Sequence, residues 1–209
     1  MKFDDLKIIF PDATLDTWHV HTNGGGWVQN TATVTDSAYV GPDAVVFENA
    51  AVSEDAWVYG RSRVFGNALV YGNARVSGDA WVSGDALVYG NARVSGNAGV
   101  FGGALVFDNA QVSWYAMVYG NARVSGDARV SGNASVFDNA QVSWYARVSE
   151  NAMVSEDAGV SGNALVSGNA LVSGDALVSG DAEVSGDAQI FGNAVVSWYA
   201  RVSGNEIIA

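Results

Sequence analysis

The residues that could do chemistry are few. His19 and His21 are the two histidines. A neutral imidazole can draw a proton from a hydroxyl or thiol near pH 7, so either could serve as a general base. Both lie before the regular part of the chain, and packing or hydrogen bonding there is the expected role. Cysteine is absent, which removes thiolate nucleophiles, disulfides and thiolate metal sites. Carboxylates are common and fall in register. One row runs Asp55, Asn73, Asn91, Asn109, Asp127, Tyr145, Asn163, Asp181, the same position in every third hexapeptide. Stacked carboxylates could hold a calcium ion. Asn separates nearly all the Asp residues, however, and turn chemistry alone accounts for the row. No catalytic residue, metal site or cofactor is assigned.

Aromatic pairs form a second chemical signal. Trp114-Tyr115, Trp144-Tyr145 and Trp198-Tyr199 each replace a Gly-Asn or Gly-Asp turn. A bulky residue in a turn that favours positive φ is locally unfavourable. Such pairs could bind a sugar ring or a protein, or they could be drift of the repeat, with the rings lying over neighbouring turns. Both readings stand at this point.

The element that positions these residues is a hexapeptide. From Val28 to Val202 every sixth residue is Val, with Ile190 the single substitution. Four residues after each sits Ala, except at Ser62 and Glu206. In Val76-Ser77-Gly78-Asp79-Ala80-Trp81, Ala and Val point one way while Trp and Ser point the other. Gly followed by Asn or Asp makes the corner. So short a strand cannot bury its face alone. Stacked coils close the Val and Ala rows into one continuous core. The small Ala beside each Val predicts a narrow interior without room for a ligand.

This pattern resembles the hexapeptide-repeat signature, and it covers residues 28–207. The resemblance implies triangular coils of three hexapeptides each, wound left-handed, a sense that the general rule for parallel crossovers does not supply. The predicted fold is therefore all-β, a single left-handed parallel β-helix of about ten coils, roughly 48 Å long. Residues 1–27 are expected to be an N-terminal cap and residues 28–209 the repeat domain. Runs such as Val-Tyr-Gly-Asn-Ala-Arg, with the lead-in Gly25-Gly26-Trp27-Val28, are similar to bacterial and phage proteins labelled transferases on fold grounds. Acyltransferases of that kind use a His general base beside a loop that interrupts the coils. Here nothing interrupts residues 28–207 and both histidines precede them. Carbonic anhydrases of that fold need three His for zinc, and this chain has two.

In the cap, Lys7-Ile8-Ile9-Phe10 reads as a strand, Pro11-Asp12 as a turn, His19-Val20-His21 as a short strand, and Asn23-Gly24-Gly25-Gly26 as a corner.

A coil of three hexapeptides assigns the outward residues to three sides. The first carries Leu69, Tyr71, Leu87, Tyr89, Leu105 and Phe107, then turns polar at Arg123. The second opens with Tyr39, Trp57 and Tyr59, then becomes polar through Arg75, Arg93, Gln111, Arg129 and Arg147, whose guanidinium groups are expected to meet corner carboxylates. The third is apolar for most of its length: Phe47, Phe65, Trp81, Phe101, Met117, Tyr119, Phe137, Met153 and Phe191. A stripe so long, if exposed, points to a partner. The leading functional expectation is a non-catalytic structural or interaction rod that forms a homo-oligomer, most simply a dimer, through this third side. An acyltransferase-like enzyme and a carbohydrate-binding rod using the Trp-Tyr corners are the alternatives.

The net charge of −12 disfavours nucleic acid and anionic membranes as partners. No apolar run reaches the roughly 18 residues of a membrane helix. Met1-Lys2-Phe3-Asp4-Asp5-Leu6 lacks the apolar segment of a secretory leader. A cytoplasmic location is the corresponding expectation.

Overall fold

The computed structural model describes all 209 residues. It opens with a helix, α1 (Phe3–Ile9), followed by β1 (Trp18–Val20) and β2 (Trp27–Gln29). From β3 (Thr33–Val34) to β32 (Ile207–Ile208), a two-residue strand recurs once in every hexapeptide. Every third strand stacks in parallel, giving three sheets of ten, ten and twelve strands. Sheet 1 starts at β3, sheet 2 at β4 (Tyr39–Val40), and sheet 3 at β1 and β2. The molecule is a parallel β-solenoid of about ten coils.

Each coil hangs on its neighbours. The amide of Arg75 donates to the Ala92 carbonyl at 2.9 Å, and that of Ser77 to Val94 at 2.9 Å. The register is strict, Val over Val from coil to coil, as in Val76 with Val94. The inward Val and Ala side chains merge into one core of 55 buried residues. No buried side-chain polar atom lacks a partner. Ser62, which stands where Ala is otherwise found, is fully buried. Its hydroxyl donates to the Tyr59 carbonyl at 2.9 Å.

The corners explain the glycines. At Gly78 φ is 72°, and a Cβ there would lie 2.7 Å from the Gly96 carbonyl oxygen of the next coil. Acidic residues at this position recover part of that cost. The carboxylates of Glu48 and Glu150 each accept the amide of the next coil's corner, Gly66 and Gly168, at 2.8 Å. The following corner position carries Asn ladders. Asn133 donates to Asn151, Asn151 to Asn169, and Asn169 to Asp187, at 3.0, 3.0 and 2.8 Å. Asn both donates and accepts and so extends a ladder, whereas ionised Asp only accepts and ends it.

The first residues correct one expectation. Lys7-Ile8-Ile9-Phe10 is not a strand. The first three lie in α1 and Phe10 caps its C-terminus. Asp4 and Asp5 occupy the first turn, where the helix dipole favours anions. Asp5 also accepts the Lys2 amide at 2.9 Å. Leu6 then enters a second small core with Ala13, Trp18, Trp27 and Val45. Strand β1 pairs antiparallel with β2, placing Trp18 opposite Gln29 and Val20 opposite Trp27. This segment therefore covers the leading edge of sheet 3.

Outside the rod, equivalent side chains of successive coils stack. Tyr71, Tyr89 and Phe107 form a column on sheet 1, with ring centroids 5.0 and 5.1 Å apart and planes within 3°. Phe101, Tyr119 and Phe137 form another on sheet 3, at 4.9 and 5.0 Å. Burial within these columns raises the Tyr89 and Tyr119 phenol pKa values above the ordinary 10.0, aided by Tyr71 and Asp108 beside Tyr89 and by Asp138 beside Tyr119.

Val124 is fully buried, and Val124→Asp should unfold the coils around it, because a carboxylate there has no partner; the cost is on the order of 4 kcal/mol or more. Circular dichroism and limited proteolysis should show lost strand signal and cutting near residue 124, and an unchanged melting curve would contradict the buried register. The tyrosines give a pH dependence. Their folded pKa values are raised, so their contribution is fully present below the unfolded value of about 10 and is lost as pH rises through the folded value. The Tm should fall as pH rises above about 10, and fall less in a Tyr89→Phe/Tyr119→Phe variant.

Candidate functional site

The repeat makes three flat sides and three corner edges, so function must come from outward residues and from departures from the repeat. The histidines are engaged structurally. His21 is buried, and its Nε2 lies 3.0 Å from the Ala38 carbonyl, which can only accept, so Nε2 carries the proton. His19 Nδ1 lies 2.7 Å from Asn30 Oδ1. Neither sits beside a second catalytic group, and no cluster of three His, Cys, Asp or Glu converges.

The third side proves less open than its composition implies. Val45 is covered by the N-terminal segment, and Phe47 packs against Phe10 at 4.9 Å and stacks on Phe65 at 4.8 Å. Phe47 is thus committed to the second core rather than free for a partner. Trp81 lies flat because Gly99 follows it in the ladder; a Cβ on Gly99 would come within 2.5 Å of the indole nitrogen. Trp81 then stacks on Phe101 at 5.4 Å. The rings of Phe101, Tyr119 and Phe137 stack on one another and are half-buried, as is Phe65 on Phe47, while Met117, Met153 and Phe191 are exposed, at 40, 42 and 37%. The side remains a ribbon of ring edges and thioethers broken by Arg63, Ser135 and Gln189.

On the second side the expected ion pairs are mostly missing. Arg201 approaches Glu183 at 3.4 Å, but Arg75, Arg93, Arg129 and Arg147 have no carboxylate within salt-bridge distance. Arg75 instead lies over the Trp57 ring at 5.7 Å. The corner carboxylates accept backbone amides and Asn side chains, and so turn away from this face.

The Trp-Tyr corners are exposed. Trp114, Trp144 and Trp198 adopt φ of 65°, 62° and 62°, the left-handed region that costs a bulky residue most. Unlike the acids at equivalent corners, they recover nothing through a hydrogen bond to the next coil. Trp144 and Trp198 lie on one edge, three coils apart, and Trp114 lies on another. The Trp side chains are 67, 67 and 77% exposed, and Tyr115, Tyr145 and Tyr199 are exposed beside them. Beside Trp144, a notch of about 290 Å³ opens on sheet 1 where Gly159 lacks a side chain, edged by Gln141, Ser143, Asp157 and Leu177.

A concavity of about 760 Å³ was not anticipated from the sequence. It lies where α1 ends over sheet 3, with Asp5 and Ile9 on one wall, Trp81 on the other, and Arg63 and Phe65 between. The sequence does carry a signal for it. Gly60-Arg61-Ser62-Arg63 departs from Gly-Asn-Ala at two successive positions, and Arg63 follows directly.

The family comparison agrees with the fold. The YdcK β-solenoid repeat model matches residues 62–78, 68–84, 82–96, 86–102, 116–130, 158–174 and 188–204. No curated protein sequence matches the chain. Among solved structures, a UDP-N-acetylglucosamine acyltransferase of Francisella novicida is similar with a TM-score of 0.47 and 13% identity, over 85% of this chain and 66% of that one. The UDP-N-acetylglucosamine acyltransferase from Campylobacter jejuni is similar with a TM-score of 0.34 and 13% identity, over 85% and 71%. The chain spans just under two thirds of the first of these. No helix is long and apolar enough to cross a membrane. Seven segments of the chain thus resemble the YdcK β-solenoid repeat, in keeping with a parallel β-solenoid.

Proposed function

We propose that the chain is a non-catalytic interaction rod that self-associates through the outer side of sheet 3. The observation that carries this reading is the mid-rod surface where stacked Phe101, Tyr119 and Phe137 adjoin the exposed Met117 and Met153. The backbone beneath is already saturated by neighbouring coils, so a partner meets side chains alone. Ring edges and flexible thioethers suit a flat apolar contact. A rod of roughly 48 Å offers a contact beyond the 1,000 Å² or so that marks a specific interface. A two-fold pairing presents the same stripe from both chains. The engagement of both histidines in hydrogen bonds supports a binding role over acyl transfer. Carbohydrate binding is the second reading, favoured by the left-handed, exposed tryptophans and by the polar notch beside Trp144. A sugar ring stacked on that indole would present its hydroxyls to Gln141, Ser143 and Asp157.

Multi-angle light scattering should report a dimer for the wild type and a monomer for Phe101→Glu/Phe137→Glu, with unchanged circular dichroism. A monomeric wild type, or an oligomer that survives the double substitution, rejects this side. For the second reading, a glycan array should give signals that Trp144→Ala reduces about tenfold or more while Trp114→Ala does not; an array blank for the wild type removes it.

A further inference from the structure

We infer that the cleft between α1 and Trp81 binds a small organic anion with a flat apolar body, its charge on Arg63 and its ring system against Trp81 and Phe65. Three observations meet there. The first is a break in a near-perfect repeat. Arg61 occupies a corner position otherwise held by Asn or Asp in most coils, Ser62 replaces a buried Ala, and Arg63 follows on the strand. Coil stacking does not require these residues, since the same positions elsewhere are filled by the repeat.

The second is the shape. Sheet 3 runs Trp27, Val45, Arg63, Trp81, Gly99 from coil to coil. Trp27 and Val45 are sealed beneath the N-terminal segment. Arg63 is the first residue of this row beyond that cover. Trp81 stands on its far side and is held flat by Gly99. Arg63 is therefore the floor of a trough with the helix end as one wall and an indole as the other.

The third is charge. Arg61 is matched, with its Nη2 2.7 Å from Asp79 Oδ2. Asp43 takes the Met1 amino group at 2.6 Å. Asp5 accepts the Lys2 amide. Arg63 alone among the charged residues of the trough has neither an oppositely charged partner within salt-bridge distance nor a side-chain hydrogen bond to the backbone. A guanidinium flanked by aromatic rings is poised to receive a carboxylate or a phosphate in a two-pronged geometry, while a planar body stacks beside it. The ligand needs one or two negative charges and no more, because Asp5, Asp43 and Asp79 border the trough and would repel a polyanion.

The test uses the whole chain and 8-anilinonaphthalene-1-sulfonate, an aromatic anion with a flat naphthalene ring whose fluorescence rises on binding. Titration by fluorescence and by calorimetry should show saturable binding at one site. Arg63→Ala should weaken it about tenfold or more, as should Trp81→Leu. Arg63→Lys should recover part of the loss, and Arg93→Ala, on another side, should change nothing. Displacement by 1-naphthoate and by 1-naphthyl phosphate identifies a carboxylate or a phosphate as the preferred group, and the neutral 1-naphthalenemethanol should displace at least tenfold less well. Circular dichroism distinguishes a lost site from a lost fold; because Arg63 is exposed, its variants should fold as the wild type does. Failure of the wild type to saturate, binding unmoved by Arg63→Ala, or displacement by the neutral compound as strong as by the anions would overturn the assignment.

Discussion

The backbone hydrogen bond from one coil to the next, such as that from the Arg75 amide to the Ala92 carbonyl, is the constraint from which the rest follows. It fixes the coil at three hexapeptides, and thereby places every side chain directly over its counterpart. Stacking then makes each position a column with its own chemistry: Val and Ala inside, Asn and Asp along the corners, aromatic rings on the sides. A residue is good or bad in this fold according to what lies one coil away. Glycine suits most corners because the next coil's backbone crowds a Cβ there, and the acids and tryptophans at the remaining corners bear that cost. Arg75 and Arg93 stand in register on sheet 2 with no acid between them, an arrangement that costs something in any sheet.

Much of this was legible in the sequence because the repeat has period 6 and the alternation of a strand has period 2. Together these give the core and the corners, while the three sides follow from the resemblance to the hexapeptide-repeat signature. The first residues were harder. Lys7-Ile8-Ile9-Phe10 is too short for periodicity to separate strand from helix. The outcome is set by the acids at the helix start and by a tertiary contact, Leu6 against Trp18 and Trp27, that no local window contains.

The sides were readable in position but not in exposure. That Phe101, Tyr119 and Phe137 occupy the same place in successive coils was visible in the sequence; that their planes lie within 3° and shield one another depends on rotamers. The missing ion pairs on sheet 2 have a similar origin. The corner carboxylates find backbone amides and Asn donors one coil away, and these partners are nearer than an arginine on the flat side. The cleft lies at the junction between a repeat and a segment that does not repeat, so its shape could not be read from either alone. Only the irregularity at Arg61-Ser62-Arg63 marked it.

The Asn ladders have a consequence for how the molecule ages. Hydrolysis of an Asn side chain to a carboxylate, the common chemical wear of proteins held warm for long periods, removes a donor and keeps an acceptor. In most proteins the result depends on local flexibility. Here it also depends on rank within a file. Asn109 accepts from Asn91 and donates to no side chain, so the change there costs no hydrogen bond and strengthens the one it accepts, while placing a second carboxylate in register with Asp127. At Asn169 it would break the link to Asp187 and set two carboxylates face to face where a donor had joined them. A solenoid of this kind therefore carries durable and fragile asparagines along its edges, distinguished by which way each amide points.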